Sequence, residues 1–150
     1  MTLHAGRIPV LTLHRPWPAL ILHAGKRVEN RAWRTHYRGP IFLHAGQRWD
    51  DAALDFAATI PMPEGTTAAD WVSQFEQGHP IGIVGLARLT ATRLNDPSPW
   101  AITGQCQWIL DEQVHAFAEP VPCKGKQGLW AAPPDLWPAL TTALETLADR

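Results

Sequence analysis

Apolar and polar positions alternate along the chain with two different periods, which predicts strands interrupted by helices. Short apolar runs predict strands over residues 10–14, 40–45, 81–90 (continuing toward 93) and within 106–117. Helical spacing or helix-start residues predict helices over residues 16–24, 47–59, 67–77 and 133–148. Several short, glycine-containing strands separated by helices favour an α+β fold, a small mixed β-barrel with flanking α-helices, over a doubly wound sheet.

The first predicted helix has clear sequence markers at both ends. Pro16 lies in its first turn, where a missing N–H costs nothing. Gly25 is a typical residue for the position that follows a helix. The chain therefore leaves this helix directly into its most basic stretch.

Residues 26–48 combine positive charge with aromatic rings. They contain six Lys or Arg residues and one acid, Glu29, with Trp33 and Tyr37 among them. Cations that bind phosphate, interleaved with rings that stack on bases, are typical of nucleic-acid-binding surfaces. Residues 1–48 carry eight Lys or Arg and one acid, whereas residues 49–150 carry five and thirteen. Because the formal net charge is only −1, we expect one basic face rather than a generally basic protein.

The length and composition predict one globular domain over residues 1–150. The 150 residues are 45% hydrophobic and 18% charged, and they contain no apolar run long enough for a transmembrane helix. The N-terminus lacks the apolar core of a signal peptide. The two cysteines, seventeen residues apart, and the seven histidines lack the spacing of metal ligands. We therefore expect a cytoplasmic protein without a metal or another cofactor.

Three blocks of sequence resemble a known family. LTLHRPW at residues 11–17, GKRVENRAW at 25–33 and YRGPIFLHA at 37–45 are similar to the ASCH (activating signal cointegrator homology) domain, a branch of the PUA-like superfamily. Residues 81–87 and 120–130 resemble its later glycine-bearing strand and its closing segment. The resemblance covers about residues 10–131 and implies a single ASCH domain, built as a small barrel and followed here by a helix over about 133–148.

The resemblance implies binding of RNA, of single-stranded nucleic acid or of a modified base in a cleft beside the motif GKRVENR. Some members resemble ribonucleases in activity, and some hydrolyse N4-acylated cytidines, so a hydrolase of a modified nucleoside or of RNA is the alternative. In the amidohydrolase branch the motif lysine works with a threonine three residues on and a distant glutamate. Here the lysine is Lys26 and the threonine position is Glu29, while no motif places the distant glutamate. That mechanism therefore does not carry over intact.

Lys26 and Glu29 form the pair with the most evident chemistry. A lysine can donate to a carbonyl or phosphate oxygen, while a nearby carboxylate acts as a general base. Residues three apart on a regular strand point to opposite faces, but a bend at Gly25 would let the two side chains converge. The pair is interpreted as ligand-binding, as catalytic, or as part of a salt bridge in which Glu29 pairs with Arg31 or Arg34. The sequence leaves these three interpretations open.

Further side chains are candidate ligand contacts, each with a structural alternative. Most tryptophans of the chain belong to a core, and a histidine at a strand end is often hydrogen-bonded structure. The glycine-rich residues 124–128 are either an anion site or a solvated turn, and Cys123 beside Lys124 would have a lowered thiol pKa. The candidates are Arg15, Trp17, Arg31, Trp33, Arg34, Tyr37, Arg38, His44, Lys124 and Lys126.

Overall fold

The computed structural model describes residues 3–73 and 81–148, which contain a seven-stranded sheet and four α-helices. The strands are β1 (Pro9–Arg15), β2 (Val28–Arg31), β3 (Gly39–Trp49), β4 (Gly82–Leu94), β5 (Cys106–Leu110), β6 (His115–Val121) and β7 (Leu129–Ala131). The helices are α1 (Trp17–His23), α2 (Ala52–Ala57), α3 (Ala68–Ser73) and α4 (Trp137–Ala148). The predicted α+β class is confirmed.

The strand order is β2-β5-β4-β3-β1-β7, and β6 also pairs with β4. Only β1 and β3 run parallel; the other pairs are antiparallel. The long strand β4 pairs with β3 along one edge. Along its other edge it pairs with β6 near its start and with β5 toward its end. The sheet therefore branches at β4.

The sheet is not closed into a barrel, so the predicted small barrel is not confirmed. Closure requires the two outermost strands to pair with each other. Here β2 and β7 lie at opposite ends of the strand order and do not pair within the described residues. They are four and three residues long, too short to give a continuous ladder around a barrel.

Several predicted elements differ from the observed ones in extent. The helix expected over residues 47–59 is wrong in its first part, because residues 47–49 continue β3 alongside β1. Of the helix expected over 67–77, α3 is observed, and residues 74–77 lie outside the described residues. The strand expected within 106–117 is divided into β5 and β6. Helix α4 follows a short 3-10 turn, Pro134–Leu136. No helix among the described residues is long and apolar enough to cross a membrane.

Alternate residues of β1 and β3 enter two different cores, because successive side chains on a strand point to opposite faces. Leu11 and Leu43 belong to the core that includes Ile21 of α1. Val10 and Phe42 belong to the core that includes Leu140 of α4. Two residues further along, the second face changes from apolar to polar at Thr12 and His44, which are register partners. That change marks where the packed interior gives way to a cleft.

Candidate functional site

A cleft of about 1190 Å³ is lined by the ends of β1 and β3, by β2 and by residues 123–128, which follow β6. Among the described residues, its lining combines cationic side chains and indole rings with one carboxylate, Glu29. The side chains and glycines that line it are Thr12, Leu13, His14, Trp17, Glu29, Arg31, Trp33, His44, Gly46, Gln47, Arg48, Ile81, Cys123, Lys124, Gly125, Lys126, Gln127 and Gly128.

The backbone around Gly25 brings Lys26 and Glu29 together. Gly25 adopts a positive φ of 74°, which glycine tolerates without steric cost. The backbone N–H of Lys26 donates to the carbonyl of Leu20, 3.2 Å away, so the turn stays attached to α1. Strand β2 then begins at Val28 and places Glu29 opposite Trp108 of β5. The bend predicted at Gly25 is present.

Glu29 contacts two cations. Lys26 Nζ donates to Glu29 Oε1 at 2.9 Å, and Arg31 Nη1 lies 3.5 Å from Oε2. Lys26 is only 1% exposed, its ammonium lies 5.0 Å from the centroid of the Trp17 ring, and it does not line the cleft. Glu29, 7% exposed, does line it. The carboxylate thus faces the cleft with the lysine buried behind it.

Two tryptophans share the cleft lining with this carboxylate. Trp17 is fixed because its Nε1–H donates to Asp50 Oδ2 at 2.8 Å. Trp33 is 40% exposed, and its ring stands edge-on to Trp108 with centroids 4.8 Å apart. The Trp33 carbonyl accepts a hydrogen bond from Trp108 Nε1 at 3.0 Å. Both indoles are therefore anchored, and Trp33 leaves much of its surface free for a ligand.

Four of the candidate residues do not line the cleft. Arg15 donates to the carbonyls of Gly46 and Gln47 and so ties β1 to β3. The Tyr37 hydroxyl donates to the Pro40 carbonyl at 2.6 Å, and burial raises the pKa of Tyr37. Arg38 donates to two nearby carbonyls and to Thr92 Oγ1, whereas Arg34 is exposed.

Residues 123–128 form the side of the cleft next to His44. His44 is fully buried, and its Nε2 lies 2.9 Å from the Cys123 carbonyl. Burial lowers the pKa of His44, although the bond to Cys123 opposes this. We therefore assign the neutral ring, with Nε2–H donating and Nδ1 as an acceptor. Nδ1 is buried and has no partner in the described structure.

The prediction for Cys123 is wrong. Burial raises the pKa of the Cys123 thiol, so the neighbouring Lys124 does not activate it.

Among residues 3–73 and 81–148, no group of three or more His, Cys, Asp or Glu side chains could hold a metal ion.

Sequence reasoning missed Thr12 as a cleft residue and counted Arg48 only as part of the basic stretch. Thr12 lies within an apolar strand, where a threonine is unremarkable; only its pairing with His44 shows that this row of side chains reaches the cleft. Arg48 lies on the part of β3 that was expected to be helical. Both omissions follow from strand ends that the sequence pattern does not locate.

Comparison with protein families matches residues 11–117 to the ASCH domain. The chain belongs to the ASCH family. ASCH domains are generally RNA-binding, PUA-like domains. No curated protein matches the sequence. The match includes Glu29, its two cationic partners and both indoles of the cleft, whereas the segment 123–128 lies after the matched residues.

Proposed function

We propose that this ASCH domain binds single-stranded RNA in the cleft and holds one base against Glu29. One observation carries the proposal. Among the described residues, the one carboxylate that lines the cleft is fixed by two cations and shares the lining with two indole rings, while the other charged lining residues are cationic. This is the combination that a single strand needs: a polar contact for a base edge, a stacking surface, and positive charge for the backbone.

Glu29 supplies the contact to the base edge. A carboxylate accepts hydrogen bonds and discriminates in favour of bases that present an amino group, as cytosine does at N4. Because Lys26 contacts one oxygen of the Glu29 carboxylate and Arg31 contacts the other, the carboxylate is oriented before the ligand arrives. We therefore expect bases that present N–H groups on the Watson–Crick edge to bind more tightly than uracil.

Trp33 supplies the stacking surface, and four cations supply the contacts to the backbone. Stacking of a base on an aromatic side chain contributes about 1–3 kcal/mol. Arg31, Arg48, Lys124 and Lys126 line the cleft and so can reach phosphates, whereas the candidate contacts Arg34 and Arg38 do not line it. Binding is then expected to weaken as the salt concentration rises.

The test is the affinity of a fluorescently labelled single-stranded RNA hexamer of mixed sequence, measured by anisotropy. Glu29→Gln keeps an oxygen that can accept from Lys26 but removes the charge, and we expect it to bind at least tenfold more weakly. Glu112→Gln is the matched control, because the Glu112 side chain is 91% exposed and lies outside the cleft. Thermal unfolding of both variants checks folding. Absence of binding by the wild type, or equal loss in both variants, contradicts the proposal.

A hydrolase is the second candidate, favoured by the contact between the cleft-facing Glu29 and the buried ammonium of Lys26. In this role Glu29 would act as general base on water, and Arg31, which lines the cleft, would face the developing negative charge. The protein would be incubated with RNA and with modified nucleosides including N4-acetylcytidine, and products read by mass spectrometry. Deacylated or shortened products that disappear in Glu29→Gln would establish an enzyme. An unchanged mixture favours the binding module.

A further inference from the structure

The Thr12 hydroxyl is a hydrogen-bond donor left available in the cleft. Trp130 Nε1–H donates to Thr12 Oγ1 at 3.0 Å, which occupies the oxygen as an acceptor. The hydroxyl hydrogen of Thr12 has no acceptor among the described residues. A hydroxyl oriented in this way suits a ligand that carries acceptor oxygens.

The segment 123–128 passes directly over Thr12 and His44. A Cβ atom at position 125 would lie 2.7 Å from Thr12 Oγ1 and 2.9 Å from His44 Cε1, so only glycine allows this approach. The bond from His44 Nε2 to the Cys123 carbonyl fixes the start of the same segment. The loop backbone therefore has a defined position beside the Thr12 hydroxyl.

Two lysines flank Gly125 in this segment, and no carboxylate among the described residues pairs with them. Lys124 and Lys126 are exposed and form no ion pair within the described residues, and Lys126 Nζ lies 5.9 Å from the centroid of the Trp130 ring. The carboxylate of the lining, Glu29, belongs to β2, at the far end of the strand order from β7. Among the described lining residues, this part of the cleft thus carries two lysines and no carboxylate.

We infer that Thr12, Lys124 and Lys126 form a phosphate subsite in the same cleft as the base site. The buried His44 holds the loop in place from below and acts as a positioning residue. The inference rests on the proposed function and narrows its ligand class. The cleft takes a nucleotide or oligonucleotide, whose phosphate occupies this subsite, in preference to a free nucleoside.

The test is displacement of the labelled RNA hexamer by each of the four nucleosides, by their 5′-monophosphates and by inorganic phosphate. For the best-binding base, we expect the monophosphate to displace the hexamer at a concentration at least tenfold lower than the nucleoside. In Lys124→Ala/Lys126→Ala this ratio falls toward one. Thr12→Val lowers it several-fold, and Thr12→Ser, which keeps the hydroxyl, restores it. Arg34→Ala/Arg38→Ala is the matched control and leaves the ratio unchanged.

Other outcomes of this experiment contradict the inference or require a second measurement. A ratio of one in the wild type, or a ratio unaffected by the lysine substitutions, contradicts the subsite. Displacement by inorganic phosphate as effective as by the nucleotide contradicts the inference that the subsite and the base site hold one nucleotide together. If neither mononucleotide nor nucleoside competes, the salt dependence of hexamer binding decides. Each phosphate contact contributes about 0.7 to the logarithmic slope, so the double lysine variant must lower it by about 1.4.

The two proposals fail separately. A wild-type protein that does not bind the hexamer contradicts the proposed function, and the phosphate subsite with it. Hexamer binding that is lost in Glu29→Gln but indifferent to both lysines and to Thr12 leaves the proposed function standing and contradicts the subsite alone.

Discussion

The chain has two basic segments, residues 26–38 and 124–128, and the structure uses their charges differently. In the first segment most cations are engaged by the protein itself. Lys26 pairs with Glu29, Arg27 donates to the Ile21 carbonyl, and Arg38 donates to neighbouring carbonyls. In the second segment, Lys124 and Lys126 line the cleft and have no ion-pair partner within the described residues.

This difference shows that density of charge along a sequence does not by itself identify the cations that are left available to a ligand. A cation that already holds a carboxylate or a carbonyl orders the chain, and displacing it for a ligand costs the interaction it makes. A cation without such a partner is available to a phosphate. In the proposed mode of binding, the longer basic segment builds the base site mainly by supporting Glu29, and the shorter one supplies free charge.

Lys26→Ala is expected to have the largest effect, and the effect is on stability. Removing one member of a buried ion pair leaves the other uncompensated, which costs about 3–5 kcal/mol. Glu29 would keep only Arg31, 3.5 Å away. Urea unfolding gives the free energy directly. Lys26→Met, which retains the volume, should cost less. Equal stability of Lys26→Ala and wild type would show that the first segment is not structural.

The next largest expected effect is a difference in RNA affinity between two double variants, each of which removes two positive charges. Lys124→Ala/Lys126→Ala is expected to weaken binding of the RNA hexamer at least tenfold, because both side chains line the cleft. Arg34→Ala/Arg38→Ala is expected to change it less than about threefold through general electrostatics. Anisotropy titrations at one salt concentration compare them. The reverse order would place the binding surface on the first segment.

The smallest expected effect is a pH dependence of stability from His44. Burial lowers its pKa, so the folded state disfavours protonation, while the unfolded chain protonates near the ordinary value of about 6.5. Stability is then fully present above that value and declines as the pH falls below it. Melting temperatures between pH 7.5 and 5 should fall by a few degrees.

The matched variant for this pH dependence is His44→Gln, which should flatten it. Burial also lowers the pKa of His23, so a residual slope of the same sign is expected to remain. If wild type and His44→Gln showed the same slope of melting temperature against pH, the pH dependence would come from groups other than His44.

Much of the fold could be predicted, because the periodicity of strands and the residues at helix ends can be recognised within short stretches of sequence. The strand around residues 10–14, the helix that follows Pro16 and the bend at Gly25 depend on periodicity and on glycine and proline chemistry. Strands β2 and β7 were not predicted as strands, because four and three residues carry too little periodicity. The open ends of the sheet depend on pairing between distant segments, which the sequence does not display.

The site was predictable to a similar degree. Glu29, Arg31 and Trp33 line the cleft as the basic stretch suggested, and so do Trp17 and His44. Arg34, Tyr37 and Arg38 do not line it; Tyr37 and Arg38 instead form hydrogen bonds within the protein. Thr12 could not have been chosen, since its proposed role depends on the hydrogen bond from Trp130, which lies 118 residues further along the chain.

The most direct test of RNA binding in the cleft is photocrosslinking of the wild-type protein to a single-stranded RNA hexamer that carries a photoreactive base, followed by mass spectrometry of the crosslinked peptides. The account predicts adducts at Trp33 and within residues 123–128, and their loss when excess unlabelled hexamer competes. Competed adducts confined to residues 34–38, or to surfaces away from the cleft, would contradict it.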